Sequence, residues 1–287
     1  MVAARRLYDS EYLLEYGLRL IGHKCVGEAK ENKANFKAAH GLSARAALAV
    51  WCDMWDSQDD HIKIGPEAKL EHFFWTLHFL RAYPLERNLA AYMGAHRRTV
   101  MKWVKTHVTK ISLLKPFKIR LPEPDDIIKF FLTVDGTDCP INEPTPFNKN
   151  WMSHKFKGAA IKYEVGIDMQ GNFAWISPPY RGSVHDSTIF KRSLRGFVPN
   201  GHCVIVDSAY GYKDEKVAPV SEYDDDEVTR FKKRSLARHE TGNKRIKDWK
   251  VTSVDFRHSL DFHAPCFHSS VVLSQYNVEH GEPLFEL

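Results

Sequence analysis

The chain has 287 residues, 43% of them hydrophobic and 27% charged, a balance that excludes global disorder and allows one large domain or two smaller ones. A formal charge of +5 is too mild to argue by itself for a nucleic-acid partner, so the distribution of charge must carry that question. Five scattered cysteines without a CxxC pair argue against a disulfide framework and a cysteine zinc site, and neither a membrane-spanning run nor the apolar core of a signal peptide after Met1-Val2-Ala3-Ala4-Arg5-Arg6 is found, so a soluble cytoplasmic or nuclear protein is expected.

Residues 8 to 38 contain one moderately amphipathic segment (Leu13, Leu14, Tyr16, Leu18, Leu20) and then a polar stretch, Glu28 to Asn35. Behind Ser43, a plausible helix cap, Ala44, Ala47, Leu48, Trp51 and Trp55 recur at helical spacing and read as core. Gly65-Pro66 opens a second helix with Leu70, Phe73, Phe74, Leu77 and Leu80 on one face, closed by Pro84. A short helix, Glu86 to Met93, is broken by Gly94, and another starts at Arg97 with Val100, Trp103, Val104 and Val108 inward. That leaves Arg97, Arg98, Lys102 and Lys105 towards solvent. Two helices around a glycine turn, the second with a basic face, outline a helix-turn-helix over about 66–110; a helical bundle with a solvated basic face gives the same pattern. A helical region over 1–115 is therefore expected.

The proline-rich stretch Leu114 to Pro124 reads as a linker, and a second domain is expected over 125–287. It opens on Phe130-Phe131-Leu132-Thr133-Val134, a strand that stops at Asp135-Gly136. Aspartate before glycine is an ordinary turn, but an acid at a strand end is also a candidate cation ligand. Ile161 to Asp168 and Phe173 to Ser177 read as a hairpin about Gly171-Asn172. A helix starts near Asp186, the unbroken apolar run Cys203 to Val206 reads as a buried strand ending at Asp207, and Lys216 to Val220 is a short further strand. Val228 to Lys250 and Ala264 to Asn277 read as helices. Strand, hairpin, helix, strand and helices is the order of an RNase H-like α/β fold, in which the first and fourth strands are adjacent. That adjacency would make Asp135 and Asp207 neighbours.

Glu240 supplies a third acid from a basic helix. Around it stand Lys232, Lys233, Arg234, Arg238, Lys244, Arg245 and Lys247, cations able to hold phosphates while a carboxylate holds a metal. A solvated helix with Glu240 paired to Arg238, Lys244 or Lys247 is the competing reading. Trp151, Lys155 and Lys157 form a basic, aromatic turn that reads either as a contact to a DNA backbone or as an ordinary exposed loop, and Asp224-Asp225-Asp226-Glu227 reads as a loop or the acidic start of a helix.

The ordered motifs TVDGTDCPI (133–141), KYEVGID with its following glycine (162–171), GSVHDSTIF (182–190), VDSAYGY (206–212) and RHETGNKRIK (238–247) resemble the DDE endonucleases of PIF/Harbinger-type transposases and host proteins derived from them. The resemblance covers roughly Asp125 to Glu286. It implies Asp135, Asp207 and Glu240 as a catalytic, metal-binding triad, Mg2+ or Mn2+ as cofactor, DNA cleavage and joining as activity, and a nuclear location. His185 and Asp186 fall in the resemblance, and Asp186 is expected as a helix N-cap or as support behind the ligands. Arg181, Ala209 and Thr241 depart from the usual pattern without removing a ligand. DNA, a DNA-binding partner in trans and a homo-oligomer are the expected partners. The competing functions are a domesticated, inactive DNA-binding or adaptor protein, and a phosphohydrolase of small substrates.

Overall fold

A computed structural model describes residues 8–23, 25, 28–124, 129–211 and 214–287, so the extreme N-terminus, the 125–128 start of the expected second domain and Tyr212 of the fourth motif lie outside the described residues. The chain divides into two units: Met1–Pro116 with Asp248–Thr252 and Asp261–Glu282, and Phe117–Lys247 with Ser253–Leu260 and Pro283–Leu287. All five cysteines are free thiols, and among the described residues no helix is long and apolar enough to cross a membrane.

The first unit contains α1 (Ser10–Leu20), α2 (Ala29–His40), α3 (Ala44–Trp55), α4 (Leu70–Ala82), α5 (Glu86–Tyr92) and α6 (Arg97–Leu113), followed by a single turn, α7 (Lys115–Lys118), where the proline-rich linker was expected. Helix α2 replaces the expected polar stretch. It buries only Phe36 and His40, so its sequence carries almost no apolar period. The Ser43 cap forms as expected, its hydroxyl accepting from the Ala46 amide. Helix α4 begins at Leu70, later than Gly65-Pro66, and ends at left-handed Tyr83 before Pro84. Between α5 and α6 the chain turns at Gly94 (φ +60°), and α6 buries Val100, Trp103, Val104 and Val108 while Arg97, Arg98, Lys102 and Lys105 stay exposed.

The helix His263–Glu279, α10 in chain order, also belongs to this unit rather than to an uninterrupted 125–287 domain. Nearly every residue from Cys266 to Asn277, polar and apolar alike, is buried, so this helix is covered on every side.

The second unit is built on a mixed sheet. Its strands are β1 (Phe130–Pro140), β2 (Met152–Ser153), β3 (Gly158–Asp168), β4 (Phe173–Ile176), β5 (Tyr180–Arg181), β6 (Cys203–Val206) and β7 (Val217–Pro219), in the order β2-β3-β1-β6-β7, with β4 and β5 also on β3. Strands β1 and β3 are antiparallel, β1 and β6 parallel, and β6 and β7 parallel. The hairpin turn is held by Asp168 Oδ1, which accepts from the Gln170 and Asn172 amides. Helices α8 (Asp186–Arg192) and α9 (Asp226–Lys247) complete the unit. One core cluster joins Leu132 and Val134 of β1, Val204 and Val206 of β6, Phe190 of α8 and Leu194.

Candidate active site

The parallel pairing of β1 with β6 aligns Leu132 with Val204 and Thr133 with Ile205, so two residues further along both strands lie Asp135 and Asp207. The β6 strand ends there, at a 3-10 turn whose Ala209 amide is accepted by Asp207 Oδ1 at 2.9 Å. Strand β1 does not end: it continues through Gly136 to Pro140, paired with β3. Gly136 is therefore no turn residue. A Cβ there would lie 2.4 Å from Asp186 Oδ1, so only glycine admits the Asp186 carboxylate against β1.

Helix α9 carries the other wall. Gly242 permits its close seat on β3, because a Cβ at that position would meet Ile167 Cδ1 at 2.4 Å. Buried His239 fixes its rotation: its Nδ1 lies 3.0 Å from Thr133 Oγ1, and since that hydroxyl donates to the Ile167 carbonyl, the imidazole N–H is on Nδ1. Burial depresses the His239 pKa to about 3, keeping it neutral. So oriented, α9 presents Glu240, Asn243, Lys244 and Lys247 to a cleft of about 420 Å3 whose other walls include Asp135, Asp138, Lys155 and Phe156. The Asn243 amide donates to Asp135 Oδ2 at 3.0 Å, and the Asp135 Oδ1 accepts from the Gly136 amide at 2.8 Å.

Asp138, Glu164, Asp186, Asp207 and Glu240 all occupy the neighbourhood of Asp135. Burial raises its pKa to about 6, opposed by the Lys155 charge and reinforced by Asp207 and Asp186. Asp186 is ion-paired with the buried Lys162 amine at 3.1 Å, which also stands 3.9 Å from Asp138. Glu164, directly across from Gly136 on β3, is fully buried, and burial lifts its pKa to about 8 despite the Ser193 and Tyr210 hydroxyls 3.4 Å from its two oxygens. Glu164 is therefore mostly neutral at pH 7. Burial and then Glu164, Asp186, Asp135 and Asp207 push the Tyr210 hydroxyl well above its ordinary pKa. Neither Glu164 nor Asn243 is among the residues expected from the sequence. Asn243 was accessible to that reasoning, since it lies one helical turn beyond Glu240 on the same face.

The three acids expected to converge do so only in part. Asp135 and Asp207 sense each other's charge, and Glu240 shares the cleft with Asp135, but among the described residues no three His, Cys, Asp or Glu side chains gather into a metal-holding group. Among the described residues no ion pair joins the Glu240 carboxylate to Arg238, Lys244 or Lys247. The oxygen donors here, three carboxylates and the Asn243 amide oxygen, which is buried without a hydrogen-bond partner, suit a hard divalent cation.

The expected N-cap at Asp186 is corrected: His185 holds that position through its backbone and Asp186 is the first helical residue. The His185 ring stacks loosely on His154, their centroids 6.5 Å apart. The basic helix also separates into two populations. Lys232 and Arg238 are 5% and 1% exposed and cannot reach a phosphate. Lys232 is paired to Asp224 at 2.8 Å, while Arg238 donates to the Asp168 and Met169 carbonyls at 2.6 and 3.0 Å. Arg234 and Arg245 are tied to the Glu286 and Pro283 carbonyls, and Lys247 donates to the Asp138 carbonyl. Lys155, Lys157, Lys233 and Lys244 remain exposed. Of the acidic run, Asp225 caps the Val228 amide and Asp226 and Glu227 form the first turn of α9. Arg238→Ala should destabilise the protein by about 2–3 kcal/mol, because the buried Asp168 carbonyl and the half-buried Met169 carbonyl lose their donor, while leaving DNA affinity unchanged; urea unfolding and a binding titration check the two halves.

The segment from Val134 to Gln275 contains every one of these cleft residues. Residues 134–275 match the family model described as DDE superfamily endonuclease. No curated protein and no solved structure matches the chain significantly. The matched segment begins inside β1, just before Asp135, and runs into α10. The family match points to a nuclease, and nucleases of this superfamily generally use divalent metals and bind DNA.

Proposed function

We propose that the protein is a metal-dependent DNA endonuclease of PIF/Harbinger transposase type, cutting and joining phosphodiester bonds. The observation that carries the proposal is the parallel β1–β6 pair, which sets Asp135 and Asp207 at matching positions beside a cleft that Glu240 lines from α9. The strand order, antiparallel up to β1 and parallel beyond it, supports an RNase H-like catalytic domain. Asp135, Asp207 and Glu240 would hold two divalent cations, Mg2+ or Mn2+. Bound there, such ions supply Lewis acidity at the phosphate and a water of lowered pKa. The chain's own part is positional: Asn243 fixes the Asp135 carboxylate, neutral Glu164 limits negative charge behind it, and exposed Lys155 and Lys244 orient the phosphate. Water would attack the phosphorus in line, releasing a 3′-hydroxyl for attack on a second strand. On this reading Arg98, Lys102 and Lys105 of α6 contact DNA as part of a helix-turn-helix, with Arg97 held partly by Glu86 at 2.9 Å. A nuclear location, a DNA-binding partner in trans and self-association go with it.

Incubating supercoiled plasmid with Mn2+ and either the wild type or Asp135→Ala tests the catalytic half. The wild type should nick or linearise the plasmid at least ~100-fold faster; equal cleavage sinks the assignment.

A second reading, a DNA-binding protein without catalysis, is favoured by two observations: Asp135 Oδ2 is held by Asn243, and among the described residues Glu240 is not gathered with the two aspartates into a metal-holding group. It predicts salt-sensitive DNA binding that Arg98→Ala weakens, with no Mn2+-dependent cutting by the wild type.

A further inference from the structure

The turn that carries Lys155 into the cleft also exposes a large aromatic ring there. Phe156 is 46% exposed, and it lines the same cleft as Asp135, Glu240 and Lys244. Nothing in the unit's core requires it. Its ring has no aromatic neighbour among the described residues, whereas Trp151, the other aromatic of this segment, is half-buried with the Arg181 guanidinium 5.5 Å from its ring centre.

The turn beneath the ring is nonetheless held in place. The Phe156 amide donates to Ser153 Oγ at 3.1 Å, and that hydroxyl donates to Asp138 Oδ2 at 2.9 Å. The Lys157 amide donates to the Ser153 carbonyl at 2.8 Å, and Lys157 itself takes a left-handed φ of +59°, which closes the turn. Gly158 provides the seat: a Cβ there would lie 2.7 Å from Phe156 Cε1, so any larger residue would push the ring aside. An exposed aromatic face on a hydrogen-bonded turn, flanked by two lysines and beside carboxylates, combines the two elements that hold a nucleic-acid strand, cations for phosphates and a π-face for a base.

In a continuous duplex both faces of each base are covered by its neighbours, so a protein ring can stack only on a base that has left the stack. We propose that Phe156 is a positioning residue that stacks on an unpaired base, frayed or extrahelical, of the DNA strand lying in the cleft. The inference rests on the nuclease reading, and it adds that the substrate is locally unpaired next to the scissile phosphate.

Equilibrium binding of two duplexes, identical except for one extrahelical nucleotide, tests it with the full chain and with Phe156→Ala, Phe156→Trp and Lys155→Ala. The wild type should bind the bulged duplex about five- to a hundredfold more tightly than the paired one. Phe156→Ala should lose that ratio without weakening the paired duplex, Phe156→Trp should keep it, and Lys155→Ala should weaken both duplexes together. Melting temperatures should be unchanged for the two Phe156 variants, since the ring is exposed, whereas Lys155→Ala removes the cation that offsets the Asp135 charge and should melt slightly lower at neutral pH. Equal wild-type affinity for the two duplexes overturns the stacking role and leaves the nuclease reading standing. Failure to bind either duplex overturns both. A Phe156→Ala protein that keeps the bulge preference but sediments as a smaller species identifies the ring as a protein contact and also overturns the proposal.

Discussion

Asp135→Asn should abolish Mn2+-dependent plasmid cleavage and, at neutral pH, make the protein more stable. Both effects follow from the same charge. The carboxylate has a folded pKa of about 6 against an ordinary 3.8, because it is buried and stands near Asp207 and Asp186. An acid whose folded pKa lies above its unfolded value costs nothing below the unfolded value. Its penalty grows as the pH rises between the two and is complete above about 6. A shift of about two units corresponds to roughly 3 kcal/mol, and the open side of the cleft reduces this, so about 1–3 kcal/mol should be recovered at pH 7 and almost none at pH 3.5. The amide can keep the bond from the Gly136 backbone. The Asn243 side chain can turn over so that its unpartnered Oδ1 accepts from the new amide nitrogen. Activity should fall by ~100- to 1000-fold or more, since a candidate metal-holding charge is gone. Calorimetry at pH 3.5 and 7 beside the cleavage assay reads both. A variant less stable than wild type at pH 7, with cleavage intact, would show that Asp135 is an ordinary strand residue.

The elements that bring Asp135 and Asp207 together were legible because each is written in local pattern. The apolar runs of β1 and β6, the alternation and turn of the β3–β4 hairpin and the apolar spacing of α8 all belong to single segments. What escaped depends on partners distant in sequence. Asp135-Gly136 carries the chemistry of a turn, yet Gly136 is there for the carboxylate of Asp186, which arrives from α8. Glu164 looks like the outward-facing polar residue of an alternating strand, but every residue of β3 after Gly158 is buried, so there is no outward face. The basic helix misled in another way, since composition does not say which side of a helix a cation occupies. The stripe of Ser235, His239, Gly242 and Ile246 does say so, and Lys232 and Arg238 fall on it. Helix α10 was legible as a helix, but its membership of the helical unit is a long-range fact.

The largest pH effect is expected from Glu164. Its carboxyl is fully buried on β3, with a folded pKa of about 8 against an ordinary 4.5. Below pH 4.5 both folded and unfolded chains hold the proton, and the group contributes no penalty. Between 4.5 and 8 the unfolded chain gives it up and the folded chain keeps it, so stability falls as pH rises, by at most about 4–5 kcal/mol once the pH exceeds 8. Glu164→Gln should remove this slope. The amide has the same shape: the Ser193 hydroxyl donates to the Ile189 carbonyl at 2.7 Å, so its oxygen can accept from the new NH2 while the Tyr210 hydroxyl donates to the amide oxygen. The variant should therefore match the wild type near pH 5 and exceed it by several kcal/mol near pH 9. It also separates fold from chemistry. In the wild type, ionisation of Glu164 above pH 8 adds negative charge next to Asp135 and Asp186, whereas the glutamine variant keeps that position neutral. Thermal unfolding at pH 5, 7 and 9 decides the matter, and parallel pH curves for the two proteins would mean that Glu164 is already ionised in the folded state.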